Sequence, residues 1–184
     1  MGMAAPTYYT ADMVRSLPDD GNRYETVHGE LLVTPAPRGI HQYVVTNVVV
    51  RLGNYLAAHP AGQLFISPAD ISWGPDLLVQ PDVFVVATDE GRTLDWARMK
   101  TLLLVIEVLS PSTRRADRFT KRRAYQEARV ANYWIVDIEQ GAIEVWTPET
   151  TFPTTERERV VWHPKGAAEA LVIPIADLLA PPQT

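Results

Sequence analysis

Two acidic residues stand inside apolar runs of this chain: Asp82 in LLVQPDVFVVA and Glu107 in TLLLVIEVLSPST. An ionised carboxylate left unpaired in an apolar strand is costly, so a sequence seldom places one there without a partner. Two such groups near strand ends can share a hard divalent cation through their oxygens. A basic helix follows Glu107 directly and supplies Lys121. Two carboxylates, a lysine and a positive surface are the minimum set for metal-dependent hydrolysis of a phosphodiester.

The elements that must hold these groups can be read from periodicity and punctuation. Thr10 can cap a short helix over ADMVRSL, which Pro18 ends. RYETV and ELLVTP flank His28-Gly29 and predict a hairpin. HQYVVTNVVVRLGNYLAAH predicts a long helix, with Val44, Val45, Val48, Val49, Leu52, Tyr55 and Leu56 on its apolar face. QLFISPADISW predicts a strand with an edge or bulge at Pro68, and LLVQPDVFVVA the next strand, interrupted at Pro81. TLLLVIEVL is too apolar to be half-exposed and predicts a central strand covered on both faces. Ser110-Pro111-Ser112-Thr113 ends it and caps the basic helix. NYWIVDI and AIEVWTP predict a hairpin, and RVVW and LVIPIADLL close the chain. The core order is helix, three strands, helix, strand. The expectation is an α/β fold with a mixed sheet and a helix on each face.

With 184 residues and no repeats, one domain is expected. Its parts would be an N-terminal helix and hairpin (1–38), a core (39–147) and a C-terminal extension (148–184). The absence of cysteine excludes disulfides and thiolate chemistry. No apolar run is long enough to span a membrane, and MGMAAPTYYT does not resemble a signal peptide, so a cytoplasmic protein without a membrane partner is expected. The net charge is −5, yet Arg114–Arg129 holds seven basic and two acidic residues, so this stretch carries +5 and the remainder −10. That asymmetry fits one positive face for a nucleic acid. It also fits a solvated helix face with no partner.

This order, with QPD on one core strand and IEV on the next, resembles the PD-(D/E)XK superfamily of restriction-endonuclease-like proteins. Within it the likeness is to the Uma-two family of bacterial proteins. The stretches that carry it are YETVHGELLVTPAP, His41 at the start of the long helix, SPADISW, QPDVFVV and LVIEVLSPSTRRADRFTKRRAYQEARVANYWIVD, most of residues 24–137. The resemblance implies an endonuclease that hydrolyses DNA with Mg²⁺ (or Mn²⁺). Asp82 matches the Asp of PD and Glu107 the acidic residue of (D/E)XK. Val108 matches X, whose backbone carbonyl would complete the metal shell. Leu109 departs from the pattern where the superfamily has lysine. The Uma-two pattern has a lysine in the following helix, and Lys121 matches it. Glu30 matches a further acidic position.

Each assignment has a structural counterpart. Asp82 and Glu107 can also cap strand ends or pair with arginines. Lys121 can stabilise charge on a phosphate or pair with Asp117 on the helix surface. Glu30 can be a third ligand or an exposed hairpin residue, and His41 a base, a phosphate contact or a helix-start residue. Asp70 can face the same cleft or serve the turn at Pro68. Arg114, Arg115, Arg118 and Arg122 are the expected phosphate contacts, although Arg122, like Arg123, can instead pair with the acidic remainder of the chain. Cutting both strands of a duplex calls for two sites, so a homodimer is expected. The rival expectations are a non-catalytic nucleic-acid-binding or scaffold domain, which Leu109 keeps open, and a structural protein whose buried acids only pair with arginines.

Overall fold

The structure, a computed structural model, describes residues 7–180. Residues 1–6, on which the signal-peptide expectation partly rests, and the last four residues of the expected C-terminal extension lie outside the described residues. Helix α1 (Ala11–Arg15) is capped by Thr10, whose side chain accepts from the Met13 amide. Strands β1 (Arg23–Val27) and β2 (Glu30–Thr34) form the expected hairpin. His28 and Gly29 both take positive φ, the geometry that matches strand twist in a two-residue turn. Helix α2 (Gly39–Ala58) buries His41, Val44, Val45, Val48, Leu52, Tyr55 and Leu56 at helical spacing.

The two stretches expected as single strands are each broken at a proline. QLFISPADISW forms β3 (Gln63–Ile66) and β4 (Ile71–Gly74) on either side of Pro68. LLVQPDVFVVA forms β5 (Leu77–Val79) and β6 (Val83–Val86) on either side of Pro81. Proline has no amide for a ladder. At both breaks the chain passes from one sheet to another. Helix α3 (Thr88–Gly91) and a tight turn (Trp96–Arg98) lead to β7 (Leu102–Val108), which is buried almost throughout. The basic helix follows. Its Ala116–Lys121 segment is wound as a π-helix and runs into α4 (Arg122–Glu127). Strands β8 (Tyr133–Asp137), β9 (Ala142–Trp146), β10 (Thr154–Glu156), β11 (Arg159–Trp162) and β12 (Leu171–Pro174), then α5 (Ile175–Leu179), complete the order.

The main sheet has the order β10-β9-β8-β7-β6-β3. Its β7–β8 pair is parallel and its other pairs antiparallel. A parallel pair needs a crossover, and the basic helix is that crossover. A second sheet, β2-β1-β5-β4, stands against the main one, and β11–β12 form a third. Because side chains alternate along a strand, the main sheet feeds two cores. Val83, Val85, Leu104 and Ile106 pack with α2, α5 and the β11–β12 pair. Phe84, Val86, Val105, Tyr133 and Ile135 pack with Ile71, Leu77, Val79 and the α4 residues Ala124 and Tyr125. Asp82 shares the parity of Phe84, and Glu107 that of Val105. Both carboxylates therefore face the basic helix. No helix of the described residues is long and apolar enough to cross a membrane.

Candidate active site

The β6–β7 ladder pairs Val83 with Ile106, which sets Asp82 and Glu107 beside each other at the end of that ladder. Asp82 follows Pro81, just before β6; Glu107 is the penultimate residue of β7. Asp82 Oδ2 accepts from the Val108 amide at 2.9 Å and lies 3.0 Å from His41 Nε2. Asp82 Oδ1 accepts from Arg23 Nη1 at 2.9 Å. Glu107 Oε1 accepts from Lys121 Nζ at 2.6 Å and from the Tyr125 hydroxyl at 2.9 Å. Lys121 Nζ also stands 3.0 Å from Glu25 Oε1 and 3.6 Å from Asp117 Oδ1. The same Glu25 Oε1 accepts from the Gln80 amide at 2.7 Å. The strand ends, the π-wound turn and β1 thus converge on one cluster, and Glu25, Asp82, Glu107, Asp117 and Lys121 are each at most 4% exposed.

The electrostatics follow from that burial. Four carboxylates face two fixed cations, Arg23 and Lys121. Burial pushes Glu107 well above the usual carboxylate range; Lys121 opposes this, and the neighbouring carboxylates of Asp82, Asp117 and Glu25 add to it. Burial likewise pushes Asp117 up to about 6 against the pull of Lys121. Burial would raise Asp82 too, but the His41 hydrogen bond and the charges of Arg23, His41 and Lys121 hold it well below the usual range. Burial would lower Lys121, yet Glu107, Glu25 and Asp117 outweigh it and keep the ammonium firmly charged. Opposite charge and desolvation compete, and the partner count decides each case.

The expected residues are distributed unevenly. Asp82, Glu107, Lys121 and His41 meet in the cluster. Lys121 does pair with Asp117, but in the interior and not on the helix surface. Glu30 does not join them: it is exposed at the start of β2, because the hairpin turn places it beyond the buried end of β1. The acid that the hairpin contributes is Glu25. Neither Glu25 nor Arg23 stands out in the sequence, since both sit in the short, polar-rich strand RYETV.

Three of the four arginines expected at phosphates face protein groups. Arg114 bonds Asp137 and Glu139, and Arg118 bonds Asp137 and Glu144. Arg122 bonds Gln126 and covers the Trp146 ring. Arg115 is exposed and forms no ion pair among the described residues. Acids of β8, β9 and the turn between them thus engage Arg114 and Arg118 of this helix. Of the two places open to Asp70, it takes the wall of a cleft of about 860 Å³. Asp82, His41, Arg23, Arg38 and the Ser110–Thr113 loop also line that cleft, whereas Glu107 and Lys121 do not.

The donor set fits a hard divalent cation. Its acids outnumber its cations, and that excess together with burial raises Glu107 and Asp117 above the usual carboxylate range. Among the described residues no group of three or more His, Cys, Asp or Glu side chains converges as metal ligands. Two carboxylates with water and phosphate match what Mg²⁺ takes from proteins. An ion at Asp82 would compete with Arg23 for Oδ1.

Comparisons with known proteins agree with this architecture. The model of the Uma2 family, described as "Putative restriction endonuclease", matches residues 11–176. Among solved structures, a crystal structure described as "a putative nuclease belonging to DUF820 from Anabaena variabilis ATCC 29413" superposes with a TM-score of 0.78. The two chains are 20% identical, and the match covers 94% of this chain and 98% of that one. That likeness establishes a shared fold. No curated protein matches the chain.

Proposed function

The chain belongs to the Uma2 family, and from that premise we propose that it is a metal-dependent endonuclease that hydrolyses DNA phosphodiesters. One observation carries the reading: Asp82, Glu107 and Lys121 meet in one buried cluster with more acid than base. Mg²⁺ or Mn²⁺ would be held by Asp82 and Glu107, with the Val108 carbonyl as a further ligand. Such an ion supplies Lewis-acid polarisation of the phosphate and lowers the pKa of the attacking water.

The chain's own residues have separate tasks. Asp82, fixed by the Val108 amide and His41, presents the cleft-facing edge of the site. Lys121 holds Glu107 in one orientation and keeps a positive charge behind the reacting phosphate, standing in for the lysine absent at position 109. His41 orients Asp82 through Nε2 and leaves its buried Nδ1 without a partner. Arg115 remains a candidate phosphate contact. A second reading, a non-catalytic nucleic-acid-binding domain with this fold, has its own support: Glu107 and Lys121 do not border the cleft.

A plasmid assay separates the two. The endonuclease converts supercoiled plasmid to nicked and linear forms in Mg²⁺ or Mn²⁺, stops in EDTA, and loses the activity on Asp82→Ala. Plasmid that is bound and never cut in either metal supports the non-catalytic domain.

A further inference from the structure

Resting on the nuclease reading, we propose that the Nε–Nη2 edge of Arg23 is a binding site for a phosphate oxyanion of the nucleic-acid substrate. Arg23 opens β1 and lines the cleft beside Asp82. Its Nη1 is committed, donating to Asp82 Oδ1 at 2.9 Å and to Ser67 Oγ at 3.1 Å. Its Nε is buried with no partner, and its Nη2 forms no hydrogen bond among the described residues. A guanidinium presents Nε–H and one Nη2–H in parallel, the geometry that takes two oxygens of a phosphate at once. A buried donor without an acceptor is costly and is seldom left so in a folded protein. Here a whole donor edge, one end of it buried, awaits an anion.

The protein's nearest carboxylate, Asp82, is already held on Nη1. Asp70, also in the cleft wall, accepts from Gln80 and lies 3.5 Å from Arg15. Arg38 and His41 add positive or neutral donors to the same cleft. The basic helix faces its own acids, so the grip on the substrate backbone moves from that helix to β1 and the start of α2. The same arginine then has two roles: Nη1 steadies Asp82, and the opposite edge positions the phosphate next to it.

The test is binding of a fluorescein-labelled double-stranded oligodeoxynucleotide, followed by anisotropy in EDTA and in Ca²⁺, with melting curves of every variant. Arg23→Gln should bind at least about tenfold more weakly. Arg23→Lys should be nearly as weak, because an ammonium can accompany Asp82 but offers no two-nitrogen edge. Its log–log salt slope should stay near the wild-type value, since the charge is kept. Arg159→Gln, on the β11–β12 pair, should bind as wild type. If Arg23 serves only as a counter-ion for Asp82, Arg23→Lys keeps full affinity, and that result overturns the proposal while leaving the nuclease reading intact. Should Arg23→Gln fail to fold, the lysine variant decides alone. A wild-type protein that binds no oligonucleotide in either condition overturns both readings.

Discussion

Lys121 is the charge that lets Glu107, Glu25 and Asp117 share one buried space. Removing one partner of a buried ion pair typically costs about 3–5 kcal/mol, because the charge left behind has no compensation. Lys121→Ala should therefore lose about that much stability in urea denaturation and, in the folded fraction, about 10²–10³ in turnover. A folded Lys121→Ala that cuts at the wild-type rate would make the lysine purely structural. Asp117 offers a test by pH. Burial raises it to about 6 from 3.8. A carboxyl with a raised folded-state pKa favours folding while protonated, and that contribution is lost as pH climbs from about 4 to about 6. Asp117→Asn carries no such loss, so in EDTA its stability relative to wild type should improve across that window. Urea midpoints that keep the same separation at pH 4.5 and 6.5 would contradict the assignment. Asp82, Glu107 and Lys121 were legible at this scale because an acid inside an apolar run, or a lysine at a family position, stands out by type and place. Glu25 and Arg23 were not, since a short polar-rich hairpin strand carries no contrast between burial and charge.

At the scale of elements, local chemistry explains both what the sequence revealed and what it concealed. The spacing of valines specified α2, and the continuous apolar run specified β7 as a strand buried on both faces. Pro68 and Pro81 signalled interruption, but whether a proline bulges a strand or sends it to another sheet depends on partners distant in sequence. The basic helix was legible as a helix, but not which of its arginines face the protein. Its arginines at positions 114 and 118 lean onto Asp137 and Glu144 across the β7–β8 crossover, a pairing that no local window contains. The consequence for binding is specific. Arg115→Ala should lower the log–log salt slope of DNA binding by about 0.9, the share of one neutralised phosphate. Arg118→Ala should leave that slope unchanged and lower the melting temperature instead, because it weakens the hold on the buried Asp137. Equal loss of slope from both variants would restore the helix as the phosphate-binding face.

For the whole molecule, the formal charge of −5 said little, because its distribution decides the chemistry. Asp137, Glu139 and Glu144 pair with Arg114 and Arg118 of the basic helix, while Glu25, Asp82, Glu107 and Asp117 outnumber Arg23 and Lys121 in the buried cluster. We propose that this internal excess holds one divalent ion between Asp82 and Glu107. Calorimetric titration with Mn²⁺ tests it most directly. The account predicts one site in the wild type and affinity at least about tenfold lower in both Asp82→Asn and Glu107→Gln, each change removing one charged ligand from the ion. Wild type and both variants binding Mn²⁺ with the same affinity, or a folded wild type binding none, would contradict it.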